Sequence, residues 1–310
     1  MNKPIRFSPR RLLGRTGFAA TILGIGDVAD RAVPLEQCVA TVRRAMDAGL
    51  NVIDTAPGYE NGYSEEIVGK ALAARREGMF VIDKIDHFDQ PLPAQVEGSL
   101  GRLKIETVDA FVFHGCSTTE DWRRIAVPGG PMEQLGRFVQ SGRVRFRGIS
   151  SHHPLVLAEA IRSGLCDLVL FPVGPFCDRR YIDEILPLAR EHQVATICFK
   201  TFGAGKLLGD TAGYGRPLAF RPRGKLSSGG KESAAGAPVT PTLSVSQCVH
   251  YTLSCDPDVA LLGMSFPNEQ DAAFQAAAAF EPLPAETMDQ IRAQAAKATE
   301  GKGPNWWNPA

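Results

Sequence analysis

Short apolar runs alternate with stretches of helical spacing eight times along this chain, and that rhythm restricts its fold more than any other feature. The runs fall at 21–26, up to Asp54, and at 79–84, 108–114, 144–149, 168–171, 194–199 and 259–262. Helical spacing follows each of them, at 35–48, from Ser64, and at 93–103, 131–140, 154–162, 180–191 and 243–254, then twice after the last run at 268–279 and 285–298. In 35–48, for example, Leu35, Val39, Val42 and Met46 share one face and Gly49 stops the helix. Buried runs alternating with helices imply parallel strands joined by crossovers, and eight such units close a (β/α)8 barrel. Turn chemistry at 11–20 suits a small N-terminal hairpin. The expectation is one barrel domain over 1–310.

Polar residues end three successive runs. Asp54, Lys84 and His114 close them, and Tyr59 lies in the loop after the first. In a parallel barrel these C-terminal strand ends face one shared mouth. A free phenol titrates near 10 and is a poor acid at neutral pH. A neighbouring ammonium such as Lys84 would favour the phenolate and bring that value down. Asp54 would keep Lys84 charged, and His114 could donate to a carbonyl oxygen. Such a cluster suits polarising a carbonyl while something else delivers hydride. No side chain supplies hydride, so a cofactor is required.

Composition narrows the alternatives. The 310 residues carry zero formal net charge, which gives no electrostatic footprint for nucleic acid or an anionic membrane. No run reaches the roughly 18 apolar residues of a membrane helix. The basic N-terminus lacks a secretory apolar core, so a cytoplasmic location is expected. Seven cysteines without a C-x-x-C pair argue for reduced thiols, and Cys116 beside His114 reads as a small wall residue. No His/Cys cluster has metal-ligand spacing, and His152 and His153 are adjacent and cannot readily face one metal together.

Two segments break the rhythm. Residues 209–241 are rich in Gly, Pro and Ser and carry Arg216, Arg221, Arg223, Lys225 and Lys231, as either a basic flap over an anionic ligand or a flexible solvated insertion. The tail at 300–310 holds Trp306 and Trp307, which could line a pocket, pack on the barrel or meet another subunit. Trp122 and Phe88 are further candidates for aromatic surface.

Asp54-Thr-Ala-Pro-Gly-Tyr59 with Ser64-Glu65, Lys84 after a strand, and Phe113-His114 together resemble the aldo-keto reductase superfamily. Leu13-Gly14-Arg15-Thr16-Gly17, Gly148-Ile149-Ser150, Gly203-Ala204-Gly205-Lys206-Leu207-Leu208 and Leu262-Gly263-Met264-Ser265 extend the resemblance over nearly the whole chain. It implies a (β/α)8 barrel that binds NAD or NADP without a Rossmann domain. Tyr59 would be the general acid or base, tuned by Lys84 and Asp54, with His114 orienting the carbonyl. Gly26, Asp27 and Asp54 would lie at the nicotinamide end, Ser150 and Ser151 at its carboxamide, and Phe199 against its ring. Lys200, Gly203, Gly205 and Leu207 would meet the cofactor after the seventh strand, and Gly263, Ser265 and Glu269 after the eighth.

Departures from the family pattern bear on the cofactor. Ser151 stands where Asn is usual, and Leu170 where Gln is usual. The stretch 263–273 has no base to neutralise a 2′-phosphate, which leans the expectation toward NAD. The expected partner is a small carbonyl compound or alcohol, with the oligomeric state left open. Two rival readings are a catalytically idle nucleotide-binding barrel and a lyase forming a Schiff base on Lys84.

Overall fold

The computed structural model describes residues 4–208, 242–300, 305 and 307–309. The segment 209–241 and Trp306, singled out above, lie outside them. Strands β1 (Arg11–Leu12) and β2 (Ala19–Ala20) pair antiparallel as the expected hairpin. The barrel strands are β3 (Leu23–Ile25), β4 (Val52–Asp54), β5 (Phe80–Ile85), β6 (Val108–Phe113), β7 (Val144–Ser150), β8 (Leu168–Pro172), β9 (Ala195–Phe199) and β10 (Val259–Leu262). They are parallel, pair in chain order, and close where β10 meets β3.

Strand alternation explains which side chains reach the lumen. Val52, Phe80, Ile82, Ala110, Val112, Leu168, Leu170, Ala195, Ile197, Val259 and Leu261 form the cluster inside the barrel. Their neighbours Ile53, Val81, Phe111, Val169 and Cys198 belong to the larger cluster beneath the helices. Successive strand residues face opposite ways, so Asp54 follows Val52, Lys84 follows Ile82, and His114 follows Val112 into the same lumen. The hairpin plugs the opposite end with Leu13 and Ala20. Gly14 allows that close seating, because a Cβ there would sit 2.4 Å from the Gln193 carbonyl. Each large apolar side chain buried in this way contributes about 1.5–3 kcal/mol.

The surrounding helices are α1 (Leu35–Asp47), α2 (Tyr63–Leu72), α3 (Leu92–Leu103), α4 (Thr119–Ala126), α5 (Pro131–Gln140), α6 (Pro154–Arg162), α7 (Leu186–Glu191), α8 (Val245–Ser254), α9 (Pro267–Ala278) and α10 (Ala285–Thr299). A π-helical turn, Tyr181–Ile185, leads into α7. Helix α4 has no counterpart among the expected elements. It buries only Trp122 and Ile125, and its start is set by Thr118 accepting from the Asp121 amide. Trp122 is thus committed to packing and offers no aromatic surface to a ligand. Ser64 is not the N-cap of α2. Gly62, at φ 82, takes that place, and buried Ser64 instead accepts from the Thr55 hydroxyl at 2.9 Å.

Trp307 packs inward. Trp307 is fully buried; its indole Nε1 donates to the Phe176 carbonyl at 3.0 Å, and its own carbonyl accepts from the Tyr181 hydroxyl. Lys200 and Lys206 place their ammonium groups 5.6 and 5.3 Å from its ring. This burial rules out the subunit-contact reading for Trp307.

A carboxyl pair lies between the barrel and α2. Asp83 accepts from the Lys84 amide at 2.8 Å, and neighbouring Glu65 is bound by the Arg102 guanidinium. Burial, then the Glu65 charge, push Asp83 well above the usual carboxylate range. A raised native value stabilises the fold at low pH. That stability is lost as pH climbs from about 4, the unfolded value, through the native one. Asp83→Asn keeps a donor that does not titrate. Its stability in urea unfolding should therefore gain on the parent's as pH rises above about 4. Parallel stability–pH curves for the two proteins would refute the raised Asp83 value.

Candidate active site

Asp54, Tyr59, Lys84 and His114 meet at the C-terminal mouth. The Lys84 ammonium donates to both Asp54 carboxylate oxygens at 2.7 Å and to the Thr55 carbonyl at 2.8 Å. It lies 4.5 Å from the centre of the Tyr59 ring. The Tyr59 and His114 rings stand edge to face with centroids 5.5 Å apart. Lys84 and Asp54 are almost wholly withdrawn from solvent, whereas Tyr59 is half-buried.

Local backbone geometry places Tyr59. The chain turns back through Glu60, Asn61 and Gly62 at φ 50, 51 and 82. Holding two non-glycine residues there costs roughly 1–2 kcal/mol each. The Arg31 guanidinium braces the turn by donating to the Glu60 carbonyl at 2.6 and 3.0 Å.

The electrostatics depart from the expectation in one respect. Burial pulls the Lys84 pKa down, but the Asp54 carboxylate and the Tyr59 phenol outweigh it and raise it. Asp54 is nevertheless pushed up, because burial exceeds the relief from Lys84 and His114. Tyr59 is also raised rather than lowered: burial dominates, Lys84 pulls the other way, and Asp54 and Asp27 reinforce the rise. Lys84 does exert the expected pull on the phenol, but the net direction is upward because desolvation is larger.

The remaining residues singled out in the sequence lie at or after the C-terminal ends of β3, β7, β9 and β10. Gly26, just past β3, donates its amide to the Leu262 carbonyl at 2.9 Å, and Asp27 accepts from the Ala29 amide. Ser150 ends β7, and the Ser151 amide bonds to the Leu170 carbonyl across to β8. Phe199 ends β9, half-buried, with His152 ring-to-ring at 5.4 Å. Lys200 follows at φ 73, then the 3-10 turn Gly203–Gly205 and buried Leu207. Gly263 follows β10, and buried Glu269 in the first turn of α9 accepts from the Ser265 and Phe266 amides at 2.7 and 3.2 Å.

Two buried hydroxyls on adjoining loops, Thr201 Oγ1 and Ser265 Oγ, have no hydrogen-bond partner among the described residues. Unsatisfied buried hydroxyls beside a half-buried aromatic face suit an extended ligand carrying both polar and flat apolar parts. The donor set thus fits a nicotinamide nucleotide.

Two residues gained meaning only from the structure. Asp86 binds His114 Nδ1 at 2.5 Å; its only trace in the sequence is an acid two positions past Lys84. His152, weighed above only as a metal ligand, packs against Phe199. Burial, then the Lys200 and His114 charges, push its pKa down to about 3, so it acts as a neutral ring. Cys116 is buried and its thiol is pushed up to about 12, which leaves it inert as a nucleophile.

A closed parallel barrel with ionisable side chains gathered at its C-terminal mouth is the architecture of a barrel enzyme. The chain belongs to the Aldo/keto reductase family, whose profile matches residues 21–296. It is 28% identical over 201 residues to an uncharacterized oxidoreductase of Bacillus subtilis, covering 61% of this chain and 63% of that protein. It is 26% identical over 219 residues to the NADH-specific methylglyoxal reductase of Escherichia coli, covering 64% of this chain and 66% of that one. The matches thus span slightly under two thirds of these two relatives. The L-galactose dehydrogenase of Arabidopsis thaliana is 25% identical over 309 residues, covering 91% of this chain and 93% of the relative. Among solved structures, the holo form of an aldo-keto reductase from Bacillus halodurans superposes with a TM-score of 0.68 at 25% identity, covering 94% of this chain and 96% of that one. Among the described residues, no helix is long and apolar enough to cross a membrane.

Proposed function

We propose that this protein is a nicotinamide-dependent oxidoreductase that interconverts a carbonyl compound and its alcohol, with Tyr59 as the proton donor in reduction and acceptor in oxidation. The observation that carries this reading is the convergence of Tyr59, Lys84, Asp54 and His114 at one mouth. A bound nicotinamide supplies or takes the hydride at carbon. Tyr59 moves the proton at oxygen, and Lys84 stabilises negative charge on the phenol oxygen as it leaves. Asp54 keeps Lys84 charged, and His114 orients the reacting oxygen. Phe199 would offer a flat face to the nicotinamide, Gly26 and Asp27 would flank that end, and Ser150 and Ser151 would meet its carboxamide. Lys200, Gly203, Gly205 and Leu207 would hold its middle, and Gly263, Ser265 and Glu269 its adenosine end.

Against a Schiff base on Lys84 stands the charge of that amine. A nucleophilic lysine must shed its proton, and two carboxylate oxygens at 2.7 Å oppose that. Against an idle barrel stands the assembled proton-transfer geometry, which nucleotide binding alone would not require.

NAD is the proposed cofactor. The Glu269 carboxylate accepts from the Ser265 and Phe266 amides just ahead of α9, placing negative charge at the helix N-terminus, where a phosphate would otherwise bind. A carboxylate there repels a 2′-phosphate and can accept ribose hydroxyls. The E. coli relative named as NADH-specific agrees with this lean. Fluorescence titration should show NADH binding at least about tenfold tighter than NADPH, one such charge conflict being worth roughly 1.4 kcal/mol. A hundredfold preference for NADPH would overturn the assignment. A panel of aldehydes, ketones and sugars, followed by loss of the reduced nucleotide, tests the activity; a protein that binds nucleotide but turns over none of them would fit the idle barrel.

A further inference from the structure

Asp86 stands one residue past β5, mostly buried, and takes two hydrogen bonds that tie separate parts of the mouth together. Its Oδ1 lies 2.5 Å from Nδ1 of His114, and its Oδ2 accepts from the backbone amide of Gly58 at 2.5 Å. Gly58 immediately precedes Tyr59, so one carboxylate spans the end of β6 and the loop that carries the phenol. Burial opposes its charge, but the His114 hydrogen bond and charge, the Gly58 amide and Lys84 outweigh burial and hold Asp86 below the usual carboxylate range. An ionised carboxylate has no proton to give. The proton in this bond must therefore sit on Nδ1, which leaves Nε2 as the ring nitrogen for a ligand. Gly58 is required for the contact, because a Cβ there would lie 2.7 Å from Asp86 Oδ2.

We propose that Asp86 is a positioning residue that sets the tautomer and orientation of His114 and, through the Gly58 amide, the seat of Tyr59. This rests on the roles given above to Tyr59 and His114. In its neutral form, His114 then presents the Nε2 lone pair and accepts the hydroxyl of an alcohol substrate. When charged, it donates from Nε2 to a carbonyl oxygen. A neutral imidazole of the opposite tautomer could do only the second.

Asp86→Asn separates this role from simple packing. The amide has the same shape, but its single oxygen can satisfy only one of the two donors and its NH2 must face the other. Nitrogen NMR of the labelled His114 ring should show the Nδ1–H tautomer in the parent and lose it in the variant. Turnover should fall roughly 10–100-fold, the usual effect of removing a partner that orients a functional imidazole, with NADH affinity changed less than twofold. Gly58→Ala, which displaces the carboxylate without changing its charge, should shift the ring signal and turnover the same way. An unchanged Nδ1–H signal in Asp86→Asn would overturn the proposal, as would a changed signal with parental turnover. His114→Phe tests the underlying reading separately. Parental turnover in that variant would remove His114 from the chemistry, whatever its tautomer.

Discussion

Tyr59→Phe should lower turnover by roughly 10³-fold or more, within the range for removal of a positioned acid or base, while nucleotide affinity stays within a few-fold. The variant deletes one oxygen and keeps the ring that packs edge-on to His114 and lies under the Lys84 ammonium. Ground-state binding should therefore survive, and the loss should appear in kcat rather than in KM. Burial raises the phenol above its ordinary value, so Tyr59 stays protonated across the neutral range and is ready to act as an acid. Oxidation needs the phenolate. Its rate should rise with pH through the alkaline range, with no plateau below about pH 10, the free phenol value. Tyr59→Phe should abolish that rise. Turnover of the variant within tenfold of the parent would exclude Tyr59 as the proton carrier.

The barrel was legible because strand burial writes itself into sequence as short apolar runs, and because two-residue alternation carries Val52 to Asp54 and Ile82 to Lys84 on one face. Helix α4 was not legible. A surface helix that buries only Trp122 and Ile125 leaves no apolar stripe to count. Ser64 misled for a local reason: serine before two acids has the signature of an N-cap, but Gly62 can adopt the left-handed entry and the helix begins one residue earlier than Ser64. The four residues at the mouth were visible as polar ends of apolar runs. The net direction of the Tyr59 shift was not, because charge partners can be named from sequence whereas desolvation depends on the assembled packing. Asp86 lay in a loop, where an acid usually means solvent. Its importance comes from the approach of His114 and Gly58, each 28 residues away in the chain.

Lys84→Met should be the most damaging single change to the fold within the mouth, and its cost should depend on pH. It leaves Asp54, almost fully buried, without the ammonium that binds both its oxygens. Breaking a buried pair in this way costs about 3–5 kcal/mol. For a chain of this size that lowers Tm by on the order of 5–10 °C. Asp54 can escape part of the penalty by taking up a proton, since burial already raises it above the usual carboxylate range and removal of Lys84 raises it further. A raised native value confers stability that is present below the unfolded value near 4 and is lost as pH climbs through the native one. The Tm deficit of Lys84→Met should therefore be small near pH 5 and widen toward pH 8. Adding Asp54→Asn removes the stranded charge, so the double variant should recover most of the deficit at pH 8 while remaining inactive. Equal Tm values for the parent and Lys84→Met at pH 8 would show that the ion pair does not hold the mouth together. Recovery of turnover along with stability would show that Lys84 shapes the site without tuning Tyr59.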